Sequence, residues 1–496
     1  MTQSTTSKMK RHRIALVCDF FYPRLGGVEM HIWSLAQELI KMGHKVIIIS
    51  HIYPGPSTTT DSSKKTKRVG VRYLPGPLKV YYCPMFPFVD SDVFPTFSAT
   101  LPLFRNIIIR EGIEILHAHQ ATSVMALECC MFSSTLNIAS VYTDHSLFGF
   151  DDIASLHLNT VLTTILATVD ACICVSHTCR ENLILRAELD PVSVHVIPNA
   201  VDADKFTPDV SMRSKVSFDD DDRVKVVVVS RLVYRKGVDL LVGIIPPICR
   251  MFPNVDFIIG GDGSKKLALE EMVEREQLQE RVEFLGAVPH KGVRDVLVRG
   301  HVFLNCSLTE SFCIALLEAA CSGLFAVSTN VGGVPEVLPP DMINLSEPTV
   351  PAMVASLADA IQNKVSSPST DPIKFHERIR SMYSWRCVAE QTVGIYDKVT
   401  IMPRMTFLQR LERYATCGEF CGGAISCLLY ITVHFLYLVL EWLCPRQEID
   451  VVPDLAYDLR DGDMHTIGAN TKKDERFLNQ DRVECAPSAN VAHTAN

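Results

Sequence analysis

Two periods alternate along this chain. Short runs rich in Val, Ile and Leu recur between longer stretches whose apolar residues return every three or four positions. The first kind predicts strands buried on both faces, the second helices packed against them. RIALVCDF (13–20), KVIIIS (45–50), EILHAH (114–119), SVYTDH (140–145), ACICVS (171–176) and SVHVIP (193–198) read as strands. VEMHIWSLAQELIKMG (28–43) reads as a helix closed by Gly43, and 58–68 as a polar loop. An acidic run, Asp219 to Asp222, then interrupts the alternation. A second series follows: VKVVVVSR (224–231), VDFIIGGDG (255–263), RVEFLG (281–286), HVFLNCS (301–307) and LFAVST (324–329). The pattern predicts an α/β protein of two Rossmann-like, doubly wound domains facing a cleft. The expected boundaries are a polar extension over 1–12, a first domain over 13–205 and a second over 206–375. Helices over 376–400 then cross back to the first domain.

The pattern changes once more near the C-terminus. After a juxtamembrane stretch (401–420) comes CGGAISCLLYITVHFLYLVL, twenty residues from Cys421 to Leu440 without Asp, Glu, Lys or Arg. That length crosses a bilayer core as a helix, so a single spanning segment is expected over 421–442, with a polar tail over 443–496. A buried core helix or a hairpin in one leaflet is the alternative. Tyr437 and Trp442 suit an interface, and Arg404, Arg410 and Arg413 before the span bias that side to the cytosol. The tail would then be lumenal.

Composition narrows the partners. With 496 residues, 47% hydrophobic, the chain is large enough for two cores. A formal net charge of -8 argues against broad nucleic-acid binding. The 17 cysteines are scattered in apolar runs with no CxxC pair, which predicts buried thiols in a reducing compartment rather than disulfides or zinc. The N-terminus MTQSTTSKMKRHR lacks a signal-peptide pattern.

In doubly wound sheets ligands bind beyond the carboxyl ends of strands, so loops there are the candidates. Gly26 and Gly27, before the first helix, let a ligand approach backbone closely. Arg231 and Lys236, in SRLVYRKG, place fixed positive charge where a diphosphate could leave. LTESFCIALLEAACSG (308–323) carries Glu310 in a loop and Glu318 two turns inside a helix capped by Ser311. The N–H groups of Phe312, Cys313 and Ile314 would point at an anion, and the carboxylates would accept bonds from sugar hydroxyls. His145, ending SVYTDH, could hydrogen-bond a reacting hydroxyl. His117 and His119 share a strand face, but the sequence offers no third metal ligand.

Taken together, GGVE, TDH, IPNAVD, SRLVYRKG, IIGGDG, VGGVPE and the pair Glu310-x7-Glu318, in this order over roughly 12–400, resemble the retaining GT-B glycosyltransferases. That large family includes sucrose and bacterial phosphatidylinositol sugar transferases. The resemblance implies that Arg231 and Lys236 grip the nucleotide diphosphate. It implies that Glu310 holds donor-sugar hydroxyls, Glu318 the ribose, and that Gly26 and Gly27 approach the donor phosphates. His145 would contact the sugar or the acceptor, and no metal is implied. Two positions depart: Cys313 and Ala200 stand where the family often has Gly. LTESFCIALLEAA with a C-terminal span narrows the resemblance to transferases that move N-acetylglucosamine from UDP-GlcNAc to phosphatidylinositol. These begin GPI-anchor synthesis on the cytosolic face of the endoplasmic reticulum, as catalytic subunits of membrane complexes. A mannosyltransferase acting on a polyprenyl lipid and a non-catalytic scaffold are the competing readings.

Overall fold

A computed structural model describes residues 10–24, 26–54, 67–89, 92–150, 153–209, 223–365, 370–417 and 422–453. The acidic run at 219–222, most of the 58–68 loop, the extension before residue 10 and the tail beyond 453 lie outside the described residues.

The first sheet holds β1 (Arg13–Val17), β2 (Lys45–His51), β3 (Gly70–Leu74), β4 (Leu78–Cys83), β5 (Ile115–His119), β6 (Ala139–Asp144), β7 (Ala171–Cys174) and β8 (Val194–Val196). Their order is β8-β7-β6-β5-β1-β2-β4-β3. All neighbours pair in parallel except β3, which runs antiparallel to β4 at the edge. The second sheet holds β9 (Val224–Val229), β10 (Val255–Gly260), β11 (Val282–Gly286), β12 (Val302–Asn305), β13 (Phe325–Thr329) and β14 (Ile343–Ser346). It is all parallel, ordered β11-β10-β9-β12-β13-β14. Each order reverses once, between β1 and β5 in the first sheet and between β9 and β12 in the second. At such a reversal the crossover connections leave to opposite faces and open a crevice at the strands' carboxyl ends.

The apolar runs do what they predict. Ile14 to Val17 are fully buried, as are Val226 and Val227. The helices that matter for the site are α1 (Gly27–Lys41), α2 (Leu101–Glu111), α3 (Val124–Leu136), α4 (Ile153–Leu166), α5 (Ile314–Cys321), α6 (Pro372–Met382), α7 (Trp385–Ile401), α8 (Phe407–Ala415) and α9 (Gly422–Leu443). Helix α6 packs on α5, while α7 crosses to α1 and β6. Polar contacts fix α7 there: buried Tyr396 shares a 2.6 Å hydrogen bond with His117, and exposed Asp397 lies 2.7 Å from buried His12. Contacts join both sheets and the C-terminal helices into one compact unit ending at Val451. The described cysteines are all free, most of them buried.

Candidate active site

Loops leaving β9 and β12 flank the reversal in the second sheet. Lys236 closes a single turn after β9, and Gly237 follows it at φ +66°. A Cβ there would lie 1.7 Å from the Cys306 carbonyl oxygen, so only glycine lets the two loops approach. The Lys236 ammonium is thereby held against Glu310 in a charge-assisted ion pair. The same Glu310 oxygen accepts from the Ser307 hydroxyl at 2.8 Å. Behind it, the Gly333 N–H donates to the Glu310 carbonyl at 2.9 Å. A Cβ on Gly332 would meet that carbonyl at 2.1 Å, so VGGVPE is a backbone brace for the glutamate loop.

Glu318 lies on α5, its carboxylate 3.2 Å from His290 Nε2. Both glutamate side chains are 13% exposed, enough to meet a ligand but not to be freely solvated. The partner that Glu318 requires is thus His290, the first residue of the helix His290–Leu297. Nothing periodic in the sequence marks it. Two expectations need correction. The helix does not start at Phe312 under a Ser311 cap; it starts at Ile314, because Cys313 takes a left-handed conformation (φ 70°, ψ 75°). Glu318 is therefore about one turn inside, not two. That backbone state favours glycine, the residue the resemblance implies at this position. Phe312 is buried against Tyr383, leaving only its backbone for a ligand.

Ser311 has a different partner: its hydroxyl donates to the His145 carbonyl, joining the second sheet's loop to the first sheet's. Gly27 makes the second junction, since a Cβ there would touch the Ile314 side chain at 3.9 Å. Gly26 sits one residue earlier as the N-cap of α1. Glu29, next in that helix, is buried; burial pushes its carboxyl up, opposed by its own backbone N–H, Arg24 and Arg231. Arg231 itself is exposed at the end of β9, so its charge reaches across the junction.

Around His145 the first sheet assembles an imidazole cluster. His145 Nε2 is 3.3 Å from His119 Nδ1, and the His31 ring stands 4.6 Å from the His145 ring. His31 comes from α1, with Trp385 of α7 beyond it at 5.4 Å. Asn199 Oδ1 accepts from His31 Nδ1 at 2.7 Å, which leaves Nε2 of that ring as the unprotonated nitrogen. Burial pulls the His31 pKa down to about 4 and those of His119 and His145 well below the usual value. All three are neutral near pH 7. Their nearest nitrogens lie within 4.8 Å of one another, so His31 supplies the third donor that the sequence withheld from His119. His117, by contrast, faces Tyr396 and Thr143 at 2.6 Å each and serves packing. Asp144 is paired with buried Arg186 and anchors the TDH loop.

A cavity of about 790 Å³ lies elsewhere, lined by Asp170, His195, Lys398 and Arg413 among others. It contains none of the residues above. The chemistry, not the void, locates the site.

Comparison with known proteins identifies the fold and the family. Residues 63–152 match the family PIGA (GPI anchor biosynthesis), and residues 212–380 match glycosyl transferases group 1. The chain is 48% identical to a phosphatidylinositol N-acetylglucosaminyltransferase subunit of Arabidopsis thaliana, covering 89% of this chain and 94% of that protein. It is 46% identical to the corresponding protein of Homo sapiens, over 90% and 89%. The gpi3 subunit of the same transferase in Schizosaccharomyces pombe is 45% identical, over 88% and 92%. Among solved structures, sucrose-phosphate synthase from Thermosynechococcus elongatus superposes with a TM-score of 0.64 at 19% identity, over 78% of this chain and 99% of that one. Anabaena HepE in complex with UDP gives 0.60 at 16%, over 78% and 100%. The fold is GT-B, and the chain belongs to the PIGA family of glycosyltransferases, whose relatives here are subunits of phosphatidylinositol N-acetylglucosaminyltransferase.

Proposed function

We propose that the chain transfers N-acetylglucosamine from UDP-GlcNAc to phosphatidylinositol with retention of configuration. It does so as the catalytic member of a membrane complex on the cytosolic face of the endoplasmic reticulum, with other membrane subunits as partners. The observation that carries this reading is the meeting of two loops. Ser311, beside the Lys236–Glu310 pair, donates to the carbonyl of His145. Donor-binding charge and a hydroxyl-binding imidazole therefore share one crevice.

In this mechanism Arg231 and Lys236 meet the leaving diphosphate, whose negative charge grows as the bond to the sugar breaks. The N–H groups of Phe312, Cys313 and Ile314 at the start of α5 add partial positive charge beside it. Glu310 accepts hydrogen bonds from donor-sugar hydroxyls, and Glu318 from the ribose. Gly26 and Gly27 allow α1 to close on the donor. The inositol hydroxyl attacks on the face the diphosphate leaves, and a diphosphate oxygen takes its proton. His145, neutral through burial, accepts or donates a hydrogen bond there without bringing a competing charge. The reaction needs no metal in this reading, because the two basic residues and the helix start neutralise the diphosphate. The test is turnover on membranes carrying the assembled complex, with UDP-GlcNAc labelled in the sugar and phosphatidylinositol supplied. Labelled lipid from wild type, absent with Arg231→Ala, is the expected result. An assembled complex that yields none with this donor overturns the assignment.

A further inference from the structure

The VGGVPE loop braces Glu310 from behind, but its last residue reaches the other domain. Glu336 leaves the second domain and meets the first turn of the helix His177–Ala187. One carboxylate oxygen accepts from the His177 N–H at 2.6 Å. The other accepts from the Thr178 N–H at 2.9 Å and from the Thr178 hydroxyl at 2.8 Å. These are the first two N–H groups of that helix, which have no partner within it and carry the positive end of its dipole. Ser176, the helix's own cap, serves the next one, its hydroxyl accepting from the Cys179 N–H. The two caps therefore share the turn without competing, and the charged one comes from across the crevice. The loop behind Glu336 lies flush against the first domain. A Cβ on Gly333 would stand 2.7 Å from Ser176 Oγ, and one on Gly332 2.6 Å from the Leu147 side chain.

Both ends of this contact lead to the site. On the donor side, the Gly333 N–H donates to the Glu310 carbonyl at 2.9 Å. On the other side, Cys179 Sγ lies 3.8 Å from the carbonyl oxygens of Asp144 and Ser146, the two neighbours of His145 in the chain. Glu336 thus stands between the backbone that carries Glu310 and the backbone that carries His145. We propose that Glu336 is a positioning residue for the transfer, whose carboxylate closes the crevice and sets the separation between donor sugar and acceptor hydroxyl. What the two sides hold rests on the reaction proposed above. Glu336 acts through the backbone on either side of it, not on the substrates. It is itself exposed. Its removal therefore orphans no group in the core, and the freed N–H groups of the helix return to water. Misplaced substrates, not an unfolded chain, are the consequence.

The experiment reads closure and chemistry separately, on the assembled complex. The His177 and Thr178 amides depend on Glu336 for a protein partner, so their hydrogen exchange reports the contact directly. With UDP bound they should be protected in wild type and exchange about tenfold faster or more in Glu336→Ala, while amides in the later turns of the helix keep their rates. In transfer assays Glu336→Ala should lower kcat by about 10² with UDP affinity and melting temperature unchanged. Glu336→Gln, whose amide oxygen still accepts from Thr178, should recover part of that loss. Wild-type kcat in Glu336→Ala overturns the proposal; so does a loss of UDP affinity as large as the loss of kcat, which would make the residue a support of the donor site alone. Should Glu336→Ala fail to fold, Thr178→Val, which deletes a single bond to the carboxylate, decides by the same split: a lowered kcat at unchanged UDP affinity supports closure, and wild-type kcat overturns it. Amides protected through Glu336 in a complex that makes no labelled lipid would sink the proposed reaction and leave the closure standing. Unprotected amides in a complex that does make it would sink the closure alone.

Discussion

The two sheets share one winding order but not one chemistry. At the second sheet's reversal the crevice is lined by charge: Lys236 in contact with Glu310, and Glu318 beside the His290 ring. At the first sheet's reversal it is lined by imidazoles held neutral by burial, His31, His119 and His145. The difference follows from what each half is proposed to hold. A nucleotide diphosphate needs charge that persists, and paired side chains keep that charge oriented in water's partial absence. An uncharged acceptor hydroxyl needs a hydrogen-bonding surface that does not compete for the diphosphate.

The sharpest way to break this comparison is to remove the charge. Lys236→Ala should lower kcat by about 10²–10³, worth roughly 3–4 kcal/mol, because a group acting mainly on developing diphosphate charge is lost. The same variant should bind UDP more weakly. His145→Ala should lower kcat by about 10² yet leave UDP affinity unchanged. Equilibrium binding of UDP beside single-turnover transfer separates the two. A His145→Ala protein that loses UDP binding as Lys236→Ala does would show that the halves do not divide the work. Glu318→Ala should act less strongly, raising donor KM by about tenfold with a smaller change in kcat, since a ribose contact persists from ground state to transition state.

Much of this contrast was legible before the structure, but unevenly. The β-branched runs identify both sheets, because strands buried on both faces have no polar face to hide the signal. Arg231, Lys236, Glu310 and Gly27 were legible as candidates because they stand between those runs and the helices that follow. The partners were not. His290 is 28 positions from Glu318, and His31 sits on an amphipathic helix where an inward-facing polar residue looks like noise in the period. Strand order and the Ser311-to-His145 contact depend on how sheets face each other, which no local pattern encodes. Cys313 misled in a specific way: nothing in its side chain announces a left-handed backbone. The C-terminal run was legible as one apolar helix long enough to cross a membrane, and the structure forms it over Gly422–Leu443.

The smallest effect tests whether neutrality in the first half is built into the fold. His31 has a folded pKa of about 4, against an ordinary value of 6.5, and His117 about 3. The folded state therefore binds these protons less readily than the unfolded chain. The stability each neutral ring contributes is fully present above pH 6.5. It is lost progressively as pH falls from 6.5 towards the folded values, at no more than about 1.4 kcal/mol per pH unit for each histidine. Denaturant unfolding of the chain at pH 7.5, 6 and 5 should show stability falling with acid. His31→Asn, which cannot take up a proton on unfolding, should reduce that slope by up to one histidine's share while its stability at pH 7.5 falls only by the lost bond to Asn199. An unchanged slope in the variant would mean that His31 is solvated or already charged in the folded protein. The neutral half of the crevice would then be a matter of which residues face it, not of how deeply they are buried.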